Sequence, residues 1–451
     1  MNSCISLDDV RPCLEGVVPS MIATVAADGT PNVAYLSQVF YVDAQHVAVS
    51  FQFFNKTRQN ILAHPRATVL LLHPVTAQFY RLHLRYLRTE TGGPVFERMK
   101  ALLAGIASHA GMADVFVLQG SDIYEVLEVE PVPGAAQPAL PGRCGMLGAL
   151  RRTSSRLAQA VSLDSALDTL LRCLQEDLGI GHAMVLILDP NTQRLYTVAS
   201  CGYATSGVGS EIALGDGVIG VAARERVPVR IMHMASAYLY GHAVRLGMAD
   251  RGLVPVDATE IPYPGLAAPH SQLAVPLISC GRTLGVLFVE SPEDLRFGFE
   301  DEDLLVMLGG QLAAAIDLMR EEPESPVPGE GQTVQPGALS STGPRLRVRH
   351  YEANNSIFLN DDYLIKGVAG AILWKLLREH QRSGRCDYSN RELRLDPDLG
   401  LPDVSDNLEA RLLLLARRLQ EQGRGLSIEK SGRGRFRLCV AARLELVSTP
   451  D

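Results

Sequence analysis

The chain has 451 residues, 47% apolar and 20% charged, with a formal net charge of −8. That length exceeds a single hydrophobic core and implies two to four domains, and the composition excludes a disordered or fibrous chain. No run of eighteen apolar residues occurs, Met1–Asp9 lacks the basic and apolar regions of a signal peptide, and the eight cysteines stand singly. These features point to a cytoplasmic protein with reduced thiols and no membrane span, disulfide frame or zinc site.

The charge is uneven. From Arg345 onward 19 Lys and Arg oppose 15 Asp and Glu, a net +4 that leaves −12 on the rest. A basic tail on an acidic body points to nucleic acid as its partner. Pro- and Gly-rich stretches at 131–142 and 321–344 divide the chain into domains at 1–131, 145–320 and 345–451, with 321–344 a flexible linker.

In the first segment, strands are predicted at Met21–Val25, Asn32–Val42, His46–Phe53, Ala67–Leu72, Gln78–Leu87, Val115–Leu118 and Ile123–Leu127. An amphipathic helix carries Phe96, Met99, Leu103 and Ile106. Short antiparallel strands in this order suggest a small barrel. After the strand ending at Phe54, Asn55-Lys56-Thr57 turns the chain and Gln59-Asn60-Ile61-Leu62 opens a short helix. A lysine charge, a hydroxyl and helix-start amides at one turn suit a phosphate; an ordinary polar strand end is the other reading. Arg81, His83 and Arg85 share one strand face, which either pairs with acids and solvent or meets an anionic ligand.

The motifs Ala23-Thr24-Val25, Asp28-Gly29-Thr30-Pro31-Asn32-Val33, Asn55 to Asn60 and His64-Pro65-Arg66-Ala67 resemble the pyridoxamine 5'-phosphate oxidase-like split barrels across residues 10–130. The resemblance implies an all-β split barrel that binds FMN at a homodimer interface, with heme as the alternative cofactor. His109, after the helix, reads either as an axial heme ligand or as a structural histidine. The resemblance also implies that Lys56 and Thr57 hold the phosphate, that Tyr35, Leu36, Ser37, Ser50 and Phe51 line the flavin, and that Asn60 caps the turn. Phe54-Asn55 stands where many members carry Ser-Arg, one cation fewer.

In the second segment, Ser162 starts a helix with an apolar stripe at Leu163, Leu167, Leu170, Leu171 and Leu174. Strands follow at Ala183–Leu188, Arg194–Ser200, Val227–Ile231, Gln272–Ser279 and Thr283–Glu290, and a helix closes the segment at Phe299–Arg320. The pattern is an α+β domain. Gly215 to Ala223, Pro228-Val229-Arg230-Ile231, Leu273 to Leu277 and Gly285-Val286-Leu287 resemble the GAF sensory domains, whose fold does not fix the ligand. The long connection 233–271, with Met232, His233, Met234, His242 and Met248 in or beside it, offers soft and imidazole ligands, but the nine-residue spacing of its histidines is not that of a metal site on one helix face.

In the third segment, strands at Arg345–Tyr351, Ser356–Leu359 and Tyr363–Ile365 precede three helices, the second opened by a Ser389-Asn390-Arg391-Glu392 capping box. The third helix places Leu408, Leu412, Leu415 and Leu419 toward the core. A hairpin with the tip Gly432-Arg433-Gly434-Arg435 ends the segment. This order resembles the winged-helix domain of response-regulator transcription factors. The resemblance implies an α+β unit binding double-stranded DNA, with Asn407, Arg411, Arg417 and Arg418 on the recognition helix and Arg433 and Arg435 on the wing. Leu413 and Leu414 add apolar surface, which keeps a protein-contact role open. The leading expectation is a homodimeric transcriptional regulator sensing a ligand or redox state. The rivals are an FMN-dependent oxidoreductase with regulatory domains and a non-catalytic signalling scaffold. No catalytic constellation is visible, although cofactor chemistry leaves little trace in a sequence.

Overall fold

The structure is a computed structural model and describes residues 5–14, 20–36, 39–51, 56–109, 118–134, 137, 146–232, 261–321, 345–397, 399, 408–432 and 434–449. Residues 322–344 of the expected linker and most of the first connection lie outside these residues, as do residues 52–53 and 115–117 of two expected strands and residues 233–260 of the 233–271 connection.

The N-terminal unit opens with a 3-10 helix, η1 (Asp8–Leu14). Its strands are β1 (Ser20–Val25), β2 (Pro31–Leu36), β3 (Val39–Asp43), β4 (His46–Phe51), β5 (Arg66–Leu72), β6 (Phe79–Glu90) and β7 (Gly120–Pro131). Helix α1 (Lys56–Ala63) follows β4, and α2 (Pro94–His109) follows β6. All pairings are antiparallel, in the order β2-β1-β5-β6-β7-β4-β3. Alternation sends Val69, Leu71, Leu82 and Leu84 inward with Ile22, Val47 and Tyr124 to form the main core, while Ala48 and Ile123 face the other way and pack with Met99 of α2. The single strand expected over 32–42 is two, β2 and β3, with 37–38 outside the described residues.

The middle unit contains α3 (Met146–Leu157), α4 (Leu163–Glu176), β8 (His182–Asp189), β9 (Arg194–Cys201), β10 (Glu211–Ala213), α5 (Gly217–Glu225), β11 (Val229–Ile231), β12 (Ser271–Ser279), β13 (Arg282–Ser291) and α6 (Phe299–Glu321). Ser162 caps α4 by accepting from the Ser165 amide, and the Ser165 hydroxyl reaches back in a reciprocal box. The six strands run antiparallel as β10-β9-β8-β13-β12-β11. Helices cover both faces, which is why β8 reads as a continuous apolar run. Ala183, Val185 and Ile187 meet α3, α4 and α6, whereas Met184 and Leu186 meet α5. Gly220 of α5 lies so close to the end of β10 that a Cβ there would collide with the Ala213 carbonyl.

The C-terminal unit has β14 (Arg345–Tyr351), β15 (Ser356–Leu359), β16 (Asp362–Ile365), α7 (Gly367–Ser383), β17 (Asp387–Ser389), α8 (Asn390–Arg394), α9 (Leu408–Gln422), β18 (Leu426–Gly432), β19 (Arg435–Val440) and β20 (Arg443–Thr449). The expected Ser389 capping box forms with Glu392. The sequence reading missed β20, which pairs in parallel with β14 and ties the end of the unit to its start. Leu408, Leu412, Leu415 and Leu419 of α9 are buried as expected. The apolar core of this unit is continuous with that of the middle unit.

Candidate functional site

Lys56 and Thr57 open α1, which packs on the β1–β2 hairpin. Thr57 Oγ1 accepts from Asn32 Nδ2 at 3.0 Å, and Asn60 Nδ2 donates to Thr24 Oγ1 at 3.1 Å. Asn60 is buried at 4% exposure, so it ties the helix to β1 and does not cap the turn. Arg58 Nη1 donates to both Asp122 oxygens at 2.5 and 2.6 Å, and its Nη2 donates to Thr89 at 3.1 Å. A guanidinium so committed is unavailable to a ligand. Lys56 is exposed and has no ion-pair partner among the described residues. The site therefore offers one ammonium, one hydroxyl and the first amides of α1, a donor set that fits a phosphate monoester.

Of the other expected flavin-lining residues, Tyr35 and Leu36 lie on β2, against which α1 packs, and Ser50 and Phe51 lie at the end of β4, which leads into α1. Tyr35 on β2 is 81% exposed, and Leu36 beside it is half-buried. Ser50 lies on β4 opposite Ser121 of β7, with four strands between β4 and β2 in the hydrogen-bonded order. Ser37 and the side chains of Phe51 and His109 lie outside the described residues, as does the His233–Met248 cluster. The cationic face of β6 is neutralised across the sheet. Arg81 and His83 each lie 3.3 Å from Glu130, and Arg85 pairs with Glu125. The pairing reading of that face is the correct one.

A joint links the first two units. The Arg11 guanidinium of η1 lies 3.9 Å from the Phe299 ring centroid, and Arg230 lies 4.6 Å from the same centroid. Glu302, on the first turn of α6, accepts from Arg98 at 3.1 Å and Arg230 at 2.8 Å.

Helix α9 departs most from expectation. Arg411 was expected to face a DNA groove, yet it is buried at 6% exposure, with Nη2 3.1 Å from Asp189 Oδ2. Burial works to raise the Asp189 carboxyl, but the Arg411 charge and the Asn191 amide hold it below the usual carboxylate range. Arg417 Nη2 donates to Asp164 at 2.6 Å and Asp168 at 2.7 Å, and its Nη1 donates to the Val198 carbonyl at 3.2 Å. Arg418 donates to the Leu364 carbonyl at 3.2 Å and to Glu421 at 2.8 Å. Leu414 is 6% exposed. The three arginines and Leu414 are thus turned to protein, because a desolvated guanidinium must find acceptors: the middle unit supplies them to Arg411 and Arg417, and the C-terminal unit itself to Arg418. Arg435 on β19 is exposed, while Asn407 and Arg433 lie outside the described residues. Asp164 and Asp168 were not anticipated. Their four-residue spacing on α4, off its apolar stripe, is the one sequence signal of this acidic pair.

On the α5 side of the middle sheet, Glu290 is 1% exposed. It accepts from the Leu266 amide at 2.8 Å and from Gln272 Nε2 at 3.0 Å. Burial pushes its carboxyl above the ordinary range despite these bonds.

Residues 7–125 match the family described as pyridoxamine 5'-phosphate oxidase, and residues 160–317 match the GAF domain family. The first unit is therefore a β-rich barrel of the pyridoxamine 5'-phosphate oxidase type, and the second is a GAF domain. No curated protein matches the chain. Similar solved structures include the GAF domain of an Acinetobacter phosphoenolpyruvate-protein phosphotransferase, at 22% identity over 41% of this chain and 100% of that one, TM-score 0.32. A free methionine-R-sulfoxide reductase from Neisseria meningitidis is similar at 20% identity over 40% and 94%, TM-score 0.30. An FMN-binding protein from Syntrophomonas wolfei subsp. wolfei is similar at 15% identity over 28% and 86%, TM-score 0.25.

Proposed function

We propose that this chain, which joins a pyridoxamine 5'-phosphate oxidase-like domain to a GAF domain, is a regulator that senses a ligand or redox state and acts on double-stranded DNA. In this reading the C-terminal unit works as a winged helix, with α9 reading the major groove and the β18–β19 hairpin meeting backbone phosphate or the minor groove through Arg433 and Arg435. The DNA reading is supported by the net +4 of the segment from Arg345 onward and the exposed Arg435 of its hairpin, and the coupling to the sensor by the seating of α9 on the GAF domain, through Arg411 with Asp189 and Arg417 with Asp164 and Asp168. A change in the sensor then reaches the output helix directly. The same seating also supports a second reading, in which the C-terminal unit makes only protein contacts.

The barrel's cofactor in this proposal is FMN, which when bound supplies redox chemistry. Lys56 and Thr57 hold its phosphate, and Arg58 contributes nothing because Asp122 occupies it. An absorption spectrum and an FMN titration of the purified protein test this. Lys56→Ala is expected to weaken FMN by roughly 1.5–3 kcal/mol, the worth of one charge-assisted contact. Equal affinity in the variant and the wild type removes Lys56 from the site.

A further inference from the structure

We propose, resting on the DNA-binding reading above, that the GAF domain holds α9 in an off state in which Asp164, Asp168 and Asp189 occupy the arginines that would otherwise meet DNA. GAF domain and duplex then compete for one face of one helix. The opposite face of α9 is committed to its own core through Leu408, Leu415 and Leu419, so the helix has no second face to present. The three carboxylates come from the start of α4 and the end of β8, and arginine takes carboxylate and phosphate with the same fork of donors.

The two halves of this contact differ in kind. Asp164 and Asp168 are about half exposed, at 54% and 51%, so their pairs with Arg417 are screened by salt and readily exchanged. Asp189 and Arg411 are buried together, which fixes how the helix seats. A route from the other side of the GAF domain reaches the same place. Ile261 fills the space beside Gly209, and Leu414 and Arg418 of α9 lie against that same glycine. Five residues on from Ile261, the Leu266 amide is held by Glu290 on the α5 face of the sheet. Movement of this segment on ligand binding would unseat α9. Arg435 stays exposed throughout, so the seated form keeps a weak, sequence-independent hold on DNA.

The test uses the full chain. Wild type and Asp164→Ala/Asp168→Ala are compared for hydrogen exchange of the α9 amides and for binding to a labelled random duplex by fluorescence anisotropy at low and moderate salt. Both altered positions are exposed, so the fold survives. The variant should exchange faster across 408–422 and bind DNA roughly threefold to tenfold more tightly, because apparent affinity scales with the fraction of unseated helix. A second variant, Ser206→Ala, removes the hydrogen bond that its hydroxyl donates to Glu421 across the contact. It should also exchange faster across 408–422 and bind the duplex more tightly than wild type. If wild type binds DNA and neither variant changes binding or exchange, the off state is overturned and the DNA reading stands. If exchange rises but no protein binds DNA at low salt, the DNA reading itself fails and this inference falls with it.

Discussion

Glu290 and Asp189 are both buried carboxyls of the GAF domain, and they shift in opposite directions. Asp189 has the Arg411 guanidinium beside it and ionises more easily than usual. At Glu290 burial outweighs the Leu266 amide, Gln272 and Tyr203, so its carboxyl is raised. A raised carboxyl contributes stability that is fully present below its unfolded value of about 4.3 and is lost as pH rises through the folded value. Glu290→Gln removes that loss while keeping an acceptor for the Leu266 amide. The variant should therefore melt higher than wild type at pH 8, and the gap should close as pH falls toward 4. Thermal unfolding at several pH values checks this, and a gap independent of pH would assign the effect to something other than ionisation. Asp189 works the other way, since its contribution is present above the unfolded carboxylate value and fades only in acid.

Helix α9 is an element with two committed faces. One is the apolar stripe of Leu408, Leu412, Leu415 and Leu419, and the other carries Arg411, Leu414 and Arg418, with Arg417 alongside. Asp189→Ala would leave Arg411 buried without its carboxylate. Breaking a buried pair costs about 3–5 kcal/mol, whereas each exposed pair of Arg417 is worth about 1 kcal/mol or less. Urea denaturation should therefore show Asp189→Ala as the most damaging single change at this contact. Replacing both partners with apolar residues, as in Asp189→Leu/Arg411→Met, should recover most of the loss. A cost under about 1 kcal/mol for Asp189→Ala would mean that Arg411 finds another partner or reaches water.

Among the described residues, large apolar side chains stand open on β2 and on the α3 and α6 helices, with others scattered singly. Val33 and Tyr35 on β2 are 66% and 81% exposed, and Leu147 of α3 and Leu318 of α6 are 82% and 67% exposed. Exposed apolar surface of this kind marks association, and a two-fold partner would cover it and match a palindromic operator. The expected outcome is a homodimer of twice 48.9 kDa by light scattering at micromolar concentration. Tyr35→Glu should shift the mass toward the monomer if β2 is at the interface. A monomer mass for wild type would defeat the dimer and leave the patches to other partners.

Strand alternation in β6, the helix start at Ser162, the capping box at Ser389, the strand β8 and the apolar stripe of α9 were legible along the chain. They follow from periods of two and 3.6 residues and from contacts three or four positions apart, which a sequence displays directly. The partners of the arginines were not legible. Arg58 meets an acid 64 positions away, and Arg417 meets Asp164 253 positions away. A buried guanidinium must be paired, but which carboxylate stands beside it is set by how distant elements pack. Sequence alone therefore determined that α9 carries a cationic second face. Only the tertiary structure decided that this face is seated on the GAF domain, because Asp164, Asp168 and Asp189 become one acidic surface only when α4 and β8 lie side by side.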